Sequence, residues 1–144
     1  MPLKTNLALL AALLLAACTS ATPVTDSAAT PPTQDAATRS SPVIVGRPAR
    51  VFVMAGFGKN CEPVAAPEIT VTQPPEKGDV SFIPGQETTI QYSAAGTCVG
   101  QKTTGTGIYY TARAGTSGTD KFAVSAKLAS GEVATRAFEV RITE

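Results

Sequence analysis

Residues 121–128 read Lys121-Phe122-Ala123-Val124-Ser125-Ala126-Lys127-Leu128, and this stretch decides the fold class. Phe122, Val124, Ala126 and Leu128 fall on one face of an extended chain, with Lys121, Ala123, Ser125 and Lys127 on the other. Successive side chains of a strand point to opposite faces, so a period of two with one apolar face reads as a half-buried antiparallel strand. Phe138, Val140 and Ile142 repeat the pattern near the end of the chain. Between the two lies Leu128-Ala129-Ser130-Gly131-Glu132, whose small and polar residues with a glycine predict a hairpin turn.

Working upstream, shorter alternations recur: Val80 with Phe82, Ile90 with Tyr92, and Ile69 with Val71. Val51, Val53 and Ala55 alternate with Phe52 and Met54, which predicts a strand apolar on both faces. Turn formers separate these runs at Gly56-Phe57-Gly58, Pro74-Pro75, Pro84-Gly85, Gly105-Thr106-Gly107 and from Gly115 to Gly118. No segment after Ala17 carries an apolar stripe of helical period over three turns. About seven short strands in roughly 100 residues predict an all-β fold, a single immunoglobulin-like antiparallel β-sandwich over residues 43–144. A small Greek-key barrel is the alternative.

The chain ahead of this domain has a different character. From Thr19 to about Pro42 it is Ala, Thr, Ser and Pro with scattered charge and one aliphatic, Val24. Such a segment buries too little apolar area to offset the entropy of ordering it, so residues 18–42 are expected to form a flexible linker. In residues 1–17 a single cation, Lys4, precedes an apolar run from Leu7 to Ala17. That run is roughly 11 residues, where a bilayer span needs about 20, so it reads as the hydrophobic core of a signal peptide. It ends in Leu15-Ala16-Ala17-Cys18, which resembles the lipobox of bacterial lipoproteins. The resemblance implies lipidation of Cys18, cleavage before it, and a membrane held through the lipid anchor. Thr19, in place of an Asp, resembles lipoproteins sent to the outer membrane, facing the periplasm or the cell surface.

Removing Lys4 with the leader leaves 11 basic against 11 acidic side chains. A neutral body offers no electrostatic footprint for nucleic acid, which is excluded as a partner. If Cys18 carries lipid, Cys61 and Cys98 remain as an even pair in an oxidising compartment, and a disulfide is expected. Both sit among loop formers, Gly58-Lys59-Asn60-Cys61-Glu62-Pro63 and Gly96-Thr97-Cys98-Val99-Gly100, so the bridge is expected to staple two long loops. Closing such a loop contributes about 4 kcal/mol on the chain-entropy model.

Residues 74–142 resemble the cadherin-like and immunoglobulin-like modules of large bacterial surface proteins. The matching residues are Pro75, Gly78 and Val80, then Tyr110, then Gly118, Asp120 and Phe122, then Gly131 and the strand ending in Val140. The match consists of turn and core residues and speaks to fold, not to function. In many such modules the Phe strand ends at an Asp associated with calcium, and here that position is Leu128. No metal or other cofactor is therefore expected, and Asp120 reads as a turn cap bonding nearby amides.

The chain has no histidine, which removes the commonest general base near neutral pH and the triads built on it. Gly56-Phe57-Gly58-Lys59 lacks the spacing and the following helix of a phosphate loop. A Ser-x-x-Lys dyad is absent, and Glu68, Glu76, Glu87 and Glu139 fall at strand ends or on polar faces. Tyr109 and Tyr110 must point to opposite faces, so at most one enters the core and the other is a candidate contact residue. Lys59 and Lys102, beside the two cysteines, are further candidates. The expected function is non-enzymatic: a lipid-anchored module that binds an envelope protein or glycan. The alternative is an inhibitor of a periplasmic or host hydrolase.

Overall fold

The alternation resolves into seven strands: β1 (Val43–Ile44), β2 (Ala49–Met54), β3 (Glu68–Gln73), β4 (Gly78–Thr89), β5 (Lys102–Ala112), β6 (Gly118–Lys127) and β7 (Val133–Thr143). The computed structural model describes residues 38–93 and 96–144. The leader, Cys18 and the linker up to residue 37 lie outside the described residues. The strands form two sheets, ordered β1-β7-β6-β3 and β2-β5-β4, and no helix occurs among the described residues. This is the expected all-β sandwich. Every strand pair is antiparallel except β1 on β7, where Val43 stands beside Ile142 in parallel.

Inward faces of both sheets meet in a core of Val43, Val51, Ile108, Tyr110, Ala112, Phe122, Val124, Phe138, Val140 and Ile142. Phe122 pairs with Phe138 across β6 and β7, their ring centroids 5.0 Å apart. Tyr110 stacks on Phe122 at 6.0 Å, and Phe52 tilts against Phe138 at 5.9 Å. Four rings thus run through the core, and each buried Phe is worth about 3–5 kcal/mol against alanine. A bulge between Arg50 and Phe52 lets β2 bury Val51 while Phe52 and Met54 also pack on the core, which answers its two-sided apolar pattern.

Four expectations are corrected. Gly105-Thr106-Gly107 is no turn: it lies inside β5, paired with Gln86, Met54 and Ile83. These glycines answer close approach, because a Cβ on Gly105 would strike the Met54 carbonyl and one on Gly107 would lie 2.8 Å from the Tyr109 ring. Pro84-Gly85 is likewise no chain reversal but a bulge within the twelve-residue β4, with Gly85 at a φ of 70°. Ile90 and Tyr92 form no strand; Ile90 is a buried plug in a loop, bonded through its amide and carbonyl to Gln101 and Gly100. Leu128 likewise falls outside β6, in the hairpin turn closed by the Leu128 amide on the Glu132 carbonyl at 2.8 Å.

Residues ahead of Val43 also pack on the strands. The Arg39 amide donates to the Val51 carbonyl at 2.9 Å, and the Arg141 guanidinium donates to the Ser40 carbonyl at 2.8 Å. Residues 38–42 therefore lie against the sandwich, held by hydrogen bonds to backbone carbonyls that no apolar periodicity would announce.

Candidate functional site

The strands run between two poles of unlike character. At one pole, Asp120 pins the connection 74–77 to the start of β6, and Lys77 in turn ties in 113–117 by accepting the Arg113 amide on its carbonyl and donating its ammonium to the Ser117 carbonyl. Its carboxylate accepts the amides of Glu76 at 3.1 Å, Lys77 at 2.8 Å and Lys121 at 2.9 Å, and the Tyr110 hydroxyl at 2.7 Å. Burial alone would raise the Asp120 pKa, but the Tyr110 hydroxyl and then the three amides outweigh it and hold it below the ordinary aspartate value. Tyr110 moves up, first from burial and then from its bond to the Asp120 carboxylate. The expected capping role of Asp120 is thus seen, and it reaches 44 residues back along the chain as well as to its neighbour. Gly78 completes this corner, since a Cβ there would overlap the Tyr110 ring.

The other pole is open. Three connections gather there: residues 55–67, residues 90–101, and the hairpin turn at 128–132. The first folds into a tight knuckle, with the Gly58 amide on the Glu62 carbonyl at 2.9 Å and the Cys61 amide on the Gly58 carbonyl at 3.1 Å. In the second, the Gln101 amide donates to the Cys98 carbonyl at 3.1 Å. The expected disulfide joins these turns, Cys61 to Cys98, with Cα atoms 5.4 Å apart. Both cysteines stand at a φ of 64°, a left-handed position that costs about 1–2 kcal/mol for a residue with a Cβ. Loop closure at about 4 kcal/mol outweighs either cost, so the bridge holds two turns that the chain alone would not favour.

Between these loops the sandwich opens into a cleft of about 900 Å³. Phe52, Met54, Val64, Ile90, Tyr92 and Leu128 supply its apolar lining, and Thr88, Thr89, Ser93 and Ser130 its hydroxyls. Thr38 to Ser41 form another part of the wall, so the N-terminal chain meets the sandwich at this pole. Arg136 lies beneath. Its guanidinium stands 4.0 Å over the Phe52 ring and 5.7 Å from Tyr92, and it donates to the Thr38 hydroxyl at 2.9 Å. Arg136 is only 9% exposed, while Tyr92 at the rim is 49% exposed, so the ring and not the cation is presented to solvent.

The candidate residues named from sequence distribute unevenly around this cleft. Lys59 is exposed at the knuckle between Gly58 and Cys61, and Lys102 is exposed at the start of β5, beside a shallower depression shared with Pro63 and Thr88. Tyr109 is half-buried on the outer face of its sheet, its hydroxyl donating to Gln86 at 2.8 Å and its ring covering Gly107. Tyr110 is wholly buried and is no contact residue. Phe52 and Arg136 were not among the site residues named from sequence. Arg136 carried a signal, because it shares the inward parity of Phe138, Val140 and Ile142.

The two groups with shifted pKa, Asp120 and Tyr110, sit at the closed pole, away from the cleft. Among the described residues, no group of three or more His, Cys, Asp or Glu side chains is placed to hold a metal ion. The cleft offers an apolar contact surface with a rim of hydroxyls. No family model, curated protein or solved structure matches this chain.

Proposed function

We propose that this chain is a lipid-anchored protein of the bacterial cell envelope, held through Cys18, whose sandwich binds another envelope protein at its open pole. The observation that carries this reading is that Thr38 to Ser41 line the same cleft as the disulfide-stapled loops. The anchored end of the chain and the candidate binding surface therefore share one pole. The 19 residues between Cys18 and Thr38 reach at most about 70 Å when fully extended, which bounds how far from the membrane the partner lies. The Cys61–Cys98 bridge supports an extracytoplasmic address, since such bonds persist in oxidising compartments. No catalytic role is assigned.

A second reading, an inhibitor of a periplasmic or host hydrolase, draws on the knuckle at 56–64. A turn stapled in advance enters a partner's cleft with little ordering cost. Crosslinking in intact cells, then purification of the tagged chain and identification of what accompanies it, separates the two. One envelope protein recovered in constant ratio, and lost on Tyr92→Ala, supports the accessory-module reading. Recovery of abundant bystanders alone contradicts it. Stoichiometric slowing of a purified hydrolase would support the inhibitor.

A further inference from the structure

Each sheet edge except one is defended. β1 is two residues long, β2 is covered where the Arg39 amide meets the Val51 carbonyl, and β4 carries Pro84 in its bulge with Asp79 and Glu87 along it. Proline, bulges, charge and covering segments are the usual means of keeping an edge from pairing with another chain. β3 has few of them. It reads Glu68-Ile69-Thr70-Val71-Thr72-Gln73, with no proline, no lysine and one charge at its first residue. Its bulge falls after Val71, which leaves Glu68 to Val71 in continuous register with β6. Among the described residues, no backbone bond outside the β3–β6 pairing reaches this strand. Four of its residues besides Glu68 are exposed, including Val71 at 38%.

We propose that β3 is a pairing edge, and that its occupant is β3 of a second copy of this chain, joined antiparallel about a two-fold axis through Thr70. The strand is self-complementary. A two-fold perpendicular to the sheet keeps both outer faces on one side, so like-facing residues must meet. Thr70 then stands opposite its own counterpart, Ile69 opposite Val71, and Glu68 opposite Thr72. The branched apolar pair lies on the core side, the threonines on the outer side, and no like charges oppose each other. Apolar and Thr–Thr cross-strand pairs are among the favourable ones, whereas opposed like charges are unfavourable. Val71, half-exposed at the end of the core, gains an apolar neighbour. Two four-stranded sheets become one of eight strands, and the two open poles are left free because pairing uses a flank of the sandwich. The surface is thus distinct from the cleft, and the inference does not depend on what the cleft binds.

The test uses the full chain, expressed in cells as two differently tagged copies, one carrying a photo-crosslinking side chain in place of Thr72. Illumination is expected to give an adduct of twice the chain mass bearing both tags. Thr70→Lys in both copies should lower its yield at least tenfold, as should Thr70→Glu in both. A Thr70→Lys copy with a Thr70→Glu copy should restore it. Thr70 is exposed on the outer face, and the restored pair shows that each variant still folds. No adduct, an adduct with a different protein, or an adduct indifferent to the charge pairing would overturn the proposal.

Discussion

Replacing Asp120 by Asn is the sharpest perturbation of the closed pole. The carboxylate accepts four bonds, two on each oxygen: Glu76 and Lys121 amides on Oδ1, the Lys77 amide and the Tyr110 hydroxyl on Oδ2. An amide keeps one oxygen for the first pair but turns an NH2 group toward the Lys77 N–H, so a donor meets a donor. The Tyr110 hydroxyl can rotate to accept, and its bond survives in weaker, uncharged form. One charge-assisted bond lost and a second weakened amount to about 2–3 kcal/mol. Asp120→Ala, which leaves all four donors without this acceptor, should cost about 4 kcal/mol, a large share of the 5–15 kcal/mol typical of a domain. Urea unfolding followed by circular dichroism measures both, since the chain has no Trp to report by fluorescence. The pH dependence has a definite sign. The folded pKa of Asp120 lies below the unfolded value of about 3.9, so its contribution is fully present above that value and is lost as pH falls through the folded one. Tyr110→Phe removes the largest of the bonds holding that pKa down, so acid unfolding should begin at higher pH in that variant. An Asp120→Asn protein within 0.5 kcal/mol of the parent (roughly the reach of a neutral surface change), or a Tyr110→Phe acid midpoint that stays in place, would refute this reasoning.

Tyr110 itself moves up, so its contribution is whole below about pH 10 and lost above it; alkaline titration should destabilise the parent more steeply than Tyr110→Phe. Removing the disulfide with Cys61→Ser and Cys98→Ser together should lower stability by about 2–4 kcal/mol, the usual contribution of a bridge that closes a loop. An unchanged urea midpoint would contradict that. Gly105→Ala should cost about 1–3 kcal/mol because its Cβ meets the Met54 carbonyl and not a side chain that can swing aside, whereas a neutral result would mean that β2 yields there. Phe138→Ala, at the centre of the ring series, should cost about 3–5 kcal/mol by the same unfolding assay.

What could be read from the sequence was whatever obeyed local periodicity. β6 and β7 were legible because Phe122, Val124, Ala126, Phe138, Val140 and Ile142 bury one face while Lys121, Lys127 and Arg141 stand exposed on the other, although Ala123 and Ala137 are buried on that face too, and the turn between them holds the glycine that its geometry uses. The disulfide followed from compartment and parity of cysteines. β5 was hidden because Gly105 and Gly107 look like punctuation, and only the approach of Met54 and Tyr109 gives them a place inside a strand. The same holds for Pro84-Gly85, where a bulge and a turn use identical residues. Ile90 and Tyr92 mimic a strand two residues apart, yet one plugs the core and the other stands at the rim. The cleft was the least legible feature. It is made by loops distant in sequence and by the segment at 38–41, neither of which has a local pattern, and only the inward parity of Arg136 pointed toward it.

The proposed anchor at Cys18 is the decisive point, because the shared pole has meaning only if the chain is held from that side. The direct measurement is the mass of the N-terminal peptide of the mature protein, extracted from membranes of cells that express the full chain. The expected result is a peptide that begins at Cys18 and carries a diacylglycerol thioether. A mature chain that begins elsewhere, or an unmodified Cys18 thiol in the membrane fraction, would contradict it.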